Sequence, residues 1–326
     1  MAAIIQSKLI DTSFPTELVL EVIERLPYGD GSVIANLSRT HPRLKNILAI
    51  YEESLANCFA RKELRHAAVD FPTTQQGFRW LQSCVKRYDI VDDLMAMLVS
   101  EHNVFPVRKH NMALVNTGLL LLYHLQSFES HAAKLTFLKS LPKDPLTAMY
   151  LAVHHATLTA RYHGEGIIHQ RTYGRFMDAN TLSLRSDIEF CFAEASLQLG
   201  PSFVHSSLLP TDPPATSISA EATLMNFYHD HAIHDWFLES VMEGVDVEGY
   251  GMPPITQGPR RAIKERSLWT TLLECMAELT ECPLENVMGA IEEDAAPHNH
   301  SLAWLDLQGK ATLMKGEDLV PVLVEG

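Results

Sequence analysis

The chain has 326 residues, enough for one large or two ordinary domains to bury a core without disulfide or metal staples. Its 26 Lys and Arg stand against 40 Asp and Glu, a formal net charge of −14. The basic footprint that a phosphate backbone requires is therefore missing, and nucleic acid is not an expected partner. With 46% hydrophobic and 20% charged residues, the composition is that of a globular protein and not of a disordered one.

The five cysteines, Cys58, Cys84, Cys191, Cys275 and Cys282, are scattered, odd in number and without a C-x-x-C pair. That pattern argues against a disulfide framework and against a cysteine zinc site. Residues 1–12 hold no apolar signal-peptide region and no small-residue cleavage pattern. The most apolar run, Met112 to Leu125, is interrupted by Asn116 and His124 and is too short to cross a bilayer. The expectation is an intracellular protein, of cytoplasm or nucleus, with no membrane partner.

The first elements lie in Ser13–Leu48 and read as three short amphipathic helices joined by Pro- and Gly-marked turns. Pro15 suits a first helical turn, where its missing N–H would have no partner in any case. Leu18, Val22, Ile23 and Leu26 follow at helical spacing until Pro27 stops the run. Asp30 can cap a second helix carrying Val33, Ile34 and Leu37. Thr40 or His41 can cap a third, with Pro42 in its first turn and Leu44, Ile47 and Leu48 on one face. A piece this small cannot bury all its apolar positions within itself, so it needs a partner surface.

Beyond it, the third helix is expected to run on through Tyr51, Leu55 and Phe59. A Phe71-Pro72 break separates it from a helix with Phe78, Leu81, Val85 and Tyr88, and then a short one with Leu94, Met97 and Leu98. The helix 112–125 precedes one carrying Leu135, Phe137, Leu138 and Leu141. Asp144 as N-cap, with Pro145 behind it, starts a helix to about Tyr162. Residues 163–174 are loop-like, and a helix from Ile188 to Leu199 ends at Gly200-Pro201. The Pro- and Ser-rich stretch 201–219 reads as an exposed loop or weak domain boundary. A long helix over 220–243 follows, then a Gly/Pro segment. One further helix carries Leu268, Trp269, Leu272, Met276 and Leu279, and a shorter one lies after Pro283. The tail changes character: 302–324 reads as a small β-hairpin with an added strand.

Phe14-Pro15-x-Glu17-Leu18, Ile23-x-x-Leu26-Pro27 and Leu37-Ser38-x-Thr40-His41-x-Arg43-Leu44 together resemble an F-box of the degenerate, helical kind. Phe14 stands where the family usually has leucine, Leu44 where many members have tryptophan, and Pro42 where a basic residue is typical. The resemblance implies docking on a Skp1-type adaptor and, through it, on a cullin–RING ubiquitin ligase. It also implies that Pro15, Leu18, Ile23, Leu26, Ile34, Leu37 and Leu44 form the adaptor-facing or motif-internal apolar set. No leucine-rich, WD40, kelch or tetratricopeptide period follows, so no standard substrate-reading module is visible.

Chemistry of the chain's own is harder to find. In Tyr228-His229-Asp230-His231-Ala232-Ile233-His234-Asp235, the residues His231, His234 and Asp235 fall three and four apart and can share a helix face. That pattern can ligate a divalent ion if a third element contributes, with His154, His155, His163, Glu165, His298 or His300 available. No H-E-x-x-H, G-x-S-x-G, Walker A or G-x-G-x-x-G motif is present. Trp236, Trp269 and Trp304 read as core anchors.

The sequence thus points to a mainly α protein. It has an N-terminal three-helix F-box-like segment (10–50), then an irregular multi-helix domain (51–326) with a small C-terminal β-hairpin. The expected function is a substrate-recruiting F-box adaptor that binds a Skp1-type protein and a protein substrate of unknown identity, with no catalytic residue, cofactor or assigned metal. The alternatives are a helical metal-dependent enzyme built on His229–Asp235 and a non-catalytic helical scaffold.

Overall fold

A computed structural model describes residues 14–163, 168, 182–209, 220, 222–228, 266–299 and 302–319. The chain divides into two compact units, Met1–Ile90 and Val91–Gly326. Among the described residues it is mainly helical and has no strand.

In the first unit, α1 (Thr16–Arg25), α2 (Ser32–Thr40) and α3 (Pro42–Ile50) occupy the F-box-like stretch. Pro15 is the N-cap of α1 and lies just outside the helix. Asp30 accepts a hydrogen bond from the Ser32 N–H at 2.9 Å, while the cap position itself belongs to Gly31. Gly31 has φ +83°, a conformation that glycine adopts without steric penalty. His41 caps α3: its Nδ1 accepts from the Arg43 N–H at 3.1 Å, with Pro42 at the helix start. The third helix does not run on unbroken. Tyr51 interrupts it and α4 (Glu52–Glu63) begins anew, still burying Leu55 and Phe59. After the short α5 (Ala67–Asp70), α6 (Phe78–Leu98) is a single helix where the sequence suggests two. No proline or glycine lies between Tyr88 and Leu94 to stop it.

The first unit's core gathers Val19, Ile23, Tyr28, Ile34, Leu44, Ile47, Leu48, Leu55, Phe59 and Leu81. Tyr28 stacks on Phe78 and packs at a tilt against Phe59, and its hydroxyl donates to the Phe78 carbonyl at 3.2 Å. Burial pushes that phenol up to about 12. Two neighbouring charges on α4 hold the α1–α2 turn. Lys62 Nζ donates to the carbonyls of Glu24, Arg25 and Leu26 at the end of α1, and Glu63 accepts from the N–H groups of Tyr28 and Gly29. A cation on orphan carbonyls satisfies the helix end and its dipole together.

The second unit is built on α7 (Met112–Gln126) and α9 (Lys143–Tyr162), which pack closely along their length. Leu119, Leu120, Leu121 and Leu122 of α7 are all buried, as a helix apolar all round requires. Around this pair lie α8 (His131–Ser140), α10 (Leu182–Leu199), α11 (Pro201–Leu208), α12 (Leu268–Leu279), α13 (Val287–Asp294) and α14 (Leu307–Met314).

Three expectations change here. The segment 201–208 is no exposed loop: Pro201 starts α11, which buries Phe203, Val204 and Leu208. Proline at a first helical position costs nothing, so its presence did not mark a boundary. The region 302–319 is no hairpin. Asp306 caps α14 by accepting from the Gly309 N–H at 2.6 Å, and α14 buries Leu313 and Met314. The expected added strand lies almost wholly outside the described residues. The cap of α9 is Pro142, and Asp144 serves another purpose.

Asp144 Oδ2 accepts from the Leu319 N–H at 2.9 Å, and Asp318 Oδ1 accepts from the Asp144 N–H at 2.8 Å. Burial raises the Asp144 carboxyl above its ordinary range, and Asp318 and Asp294 push the same way, against the Leu319 bond and Lys143. A carboxyl raised on folding supports the fold fully below its unfolded pKa, and that support disappears as pH climbs through the raised value. Asp144→Asn keeps an acceptor for Leu319 and removes the charge. Its stability relative to wild type should therefore increase from pH 4 to pH 7, read as paired urea midpoints.

Candidate docking surface and the cleft of the second unit

Two apolar edges of α1 compete for the core, and only one enters it. Val19 and Ile23, four apart, are 1% and 2% exposed, whereas Leu18 and Val22 are 45% and 42% exposed. Pro15 is exposed ahead of them. Because i and i+4 share a helix face, Leu18 and Val22 form an outward apolar stripe beside the buried one. Of the residues implied by the resemblance, Pro15 and Leu18 face solvent, Leu26 and Leu37 are half-buried, and Ile23, Ile34 and Leu44 belong to the core. The apolar spacing in the sequence does not separate the two faces. Val19, which sequence reasoning did not single out, joins Ile23 on the buried edge.

The same unit has a groove of about 310 Å³ between α2, α3 and the start of α6, lined by Ile34, Ala35, Lys45, Leu48 and Arg79 among others. Arg43 donates to the Phe14 carbonyl and so ties the entry of α1 to α3. Cys84 is buried, its thiol pushed up to about 12 by desolvation, which suits a packing residue and not a nucleophile.

His231, His234 and Asp235, and the whole of His229–Asp235, lie outside the described residues. The candidate third ligands have other engagements. His163 Nδ1 is 3.1 Å from the His102 carbonyl, and His298 lies 3.2 Å from Glu293. Glu165 and His300 are outside the described residues. Among the described residues no three His, Cys, Asp or Glu are placed to hold a metal ion. No helix among them is long and apolar enough to cross a membrane.

His154 and His155 open onto a cleft of about 430 Å³ in the second unit, formed by the 104–111 segment, α9 and α13. Tyr150 lies between His154 and Trp269, with ring centroids 5.5 Å away on each side and planes nearly parallel. Desolvation lowers His154, and it lowers His155 to about 4, with His154 and Arg108 adding to the effect on His155. Both imidazoles are therefore neutral at physiological pH. Arg108, Asn111 and Glu292 complete the polar lining. None of these three stands out in sequence, because no motif relates positions so far apart.

Trp304 departs from the expected core anchor. It is 54% exposed at φ +66°, and its backbone N–H donates to the His110 carbonyl at 2.9 Å. Trp269 is half-buried, and Trp236 lies outside the described residues. Comparison with protein-family models, with curated proteins and with solved structures returned no match to this chain.

Proposed function

We propose that the first unit docks on a Skp1-type adaptor, so that the chain recruits a protein substrate to a cullin–RING ubiquitin ligase and performs no chemistry itself. The supporting observation is the outward stripe of Leu18 and Val22, behind exposed Pro15, on a helix whose other edge is already committed to the core. Exposed apolar residues grouped on one helix edge mark an interaction surface more often than chance scatter. The F-box-like order of Phe14, Pro15, Leu18, Ile23, Leu26 and Leu37 gives that surface its expected partner. Leu26 and Leu37, half-buried, are available at its margin. Ubiquitin transfer then gains from proximity imposed by the scaffold.

Co-expression of the full chain with a Skp1-type protein tests this. Wild type should purify as a stoichiometric complex. Leu18→Asp/Val22→Asp changes only exposed positions, so the helical circular dichroism should persist while the complex is lost. Two desolvated apolar anchors at roughly 1.5–3 kcal/mol each correspond to a loss of about 10²–10⁴ in affinity. A soluble, folded wild type that forms no complex would leave the first unit as a scaffold element.

A further inference from the structure

We propose that the second unit binds a basic amphipathic helix of a partner protein along α13, the partner's apolar edge on Leu284 and Met288 and its cations on the carboxylates around them. Leu279, Leu284 and Met288 are 46%, 51% and 47% exposed. Leu284 and Met288 are four apart across the Leu284–Asn286 turn of 3-10 helix and α13, so they share one edge. α12, which ends on Leu279, packs against both pieces. Val287 and Ile291 of α13 are buried, so the exposed pair is what remains once the core has taken its share. Exposed apolar side chains grouped in this way mark an interaction surface.

The charge around this edge has one sign. Residues 267–297 hold seven Asp and Glu and no Lys, Arg or His. Glu278, Glu281 and Glu285 are exposed, and none of them forms an ion pair with a described residue. Their placement works against the fold. α12 and α13 have no basic residue in the last turn, and Glu278 and Glu292 stand at those negative helix ends, where a carboxylate is disfavoured. Glu281, just past the Thr280 cap of α12, takes φ +51°, a position where glycine is usual. Gly289 interrupts the exposed side of α13, although a Cβ there would meet nothing within 4 Å and alanine would hold the helix better. Local choices that cost stability and gather on one surface are what a binding site requires.

The same features select the occupant. A second copy of the chain would set carboxylates against carboxylates, so the cations belong to a different protein. α13 is hydrogen-bonded within itself and offers no strand edge. A segment desolvated against it must pair its own N–H and C=O groups, which a helix does. Gly289 follows Glu285 by four residues and precedes Glu292 by three, so it clears room between two carboxylates for the partner's backbone to come close.

The test is fluorescence anisotropy of a labelled peptide, LKKLLKL repeated twice, titrated with the full chain. The peptide should bind, and one of the same composition rearranged to have no apolar face should bind at least tenfold more weakly. Leu284→Ser/Met288→Ser should weaken binding at least tenfold. Glu281→Gln/Glu285→Gln should weaken it and flatten its dependence on salt. All four side chains are exposed, so these variants should fold like wild type. Gly289→Gln should raise Tm and still weaken binding at least fivefold, whereas a role in folding alone predicts only the rise. Absence of binding at hundred-micromolar chain overturns the proposal, as does equal binding of the rearranged peptide or by Leu284→Ser/Met288→Ser, since charge alone would then account for it. A wild-type dimer that the same two changes dissociate also overturns it, because the face would belong to a second copy. Leu18→Asp/Val22→Asp should bind the peptide like wild type, so failure here and failure of Skp1-type docking are read separately.

Discussion

Gly118→Ala should destabilise the second unit by about 3 kcal/mol or more, although it adds one methyl group and favours helix. Gly118 lies where α7 crosses α9, and a Cβ built there would be 2.0 Å from the Ala148 carbonyl oxygen and 2.6 Å from its carbon. The obstacle is backbone in the middle of a helix, which no rotamer change can move. Either the two helices separate or α9 distorts, and both open the densest part of the core, where Leu119, Leu122, Met149 and Ala152 are fully buried. Overpacking a filled core costs typically 1–3 kcal/mol when side chains can adjust, so a backbone clash belongs at or above the top of that range. For a unit of this size the loss should lower Tm by about 6–12 °C. A double variant separates backbone from side-chain causes. Ala152 Cβ is also close, at 2.8 Å, and Ala152→Gly would rescue Gly118→Ala only if that methyl were the obstacle. No rescue is the expected result. Helix propensity alone predicts the opposite sign for the single change, a gain of up to about 1 kcal/mol, so a melting curve decides between the two.

The second large effect is expected at Glu194, an acid 8% exposed on α10. Its carboxylate accepts from the N–H groups of Leu268 and Trp269 at 3.1 and 2.8 Å, and from Gln198 Nε2 at 3.0 Å. The first two are orphan donors at the start of α12, where a negative charge also meets the positive end of the helix dipole. Ser267 caps the same turn by accepting from the Thr270 N–H at 3.1 Å, so one local cap and one distant side chain share the duty. Gln198 extends the network to His131, whose other nitrogen lies 2.9 Å from the Arg266 carbonyl. Glu194→Ala leaves at least two donors without acceptors next to buried Leu268 and should cost about 2–4 kcal/mol. Glu194→Gln keeps one acceptor oxygen and should lose about half as much. Urea unfolding of both variants checks the order. Equal losses would mean that charge matters here and the hydrogen bonds do not.

Position along the chain decides which parts of this protein could be read before folding. Helix starts and stops depend on a few neighbouring residues: Pro27 ends α1, His41-Pro42 opens α3, and Gly200 with φ +74° closes α10. Where the local signal had two meanings, the wrong one was easy to take. Trp304-Leu305-Asp306-Leu307 alternates like a strand, yet Asp306 is a helix cap. Its role depends on Leu313 and Met314 finding a core to enter. Pro201 likewise suits both a loop and a first helical turn, and burial of Phe203 and Val204 decides for the turn.

By itself the sequence determined that the described residues are mainly helical, that the F-box-like stretch from Thr16 on folds as three short helices, and that the helix carrying Leu114 to Leu125 is largely buried. Each of these follows from periodicity and capping within a few turns. Only the tertiary structure decided which edge of α1 is spent on the core, because Leu18/Val22 and Val19/Ile23 are equally apolar and the choice is made by α4 packing against α1 in the core that holds Val19 and Ile23. It alone brought Arg108, His154, His155 and Glu292 to one cleft, since the three segments that carry them are separated by over forty residues and no local rule relates them. Side-chain chemistry was legible residue by residue, and its convergence was a property of the packed helices.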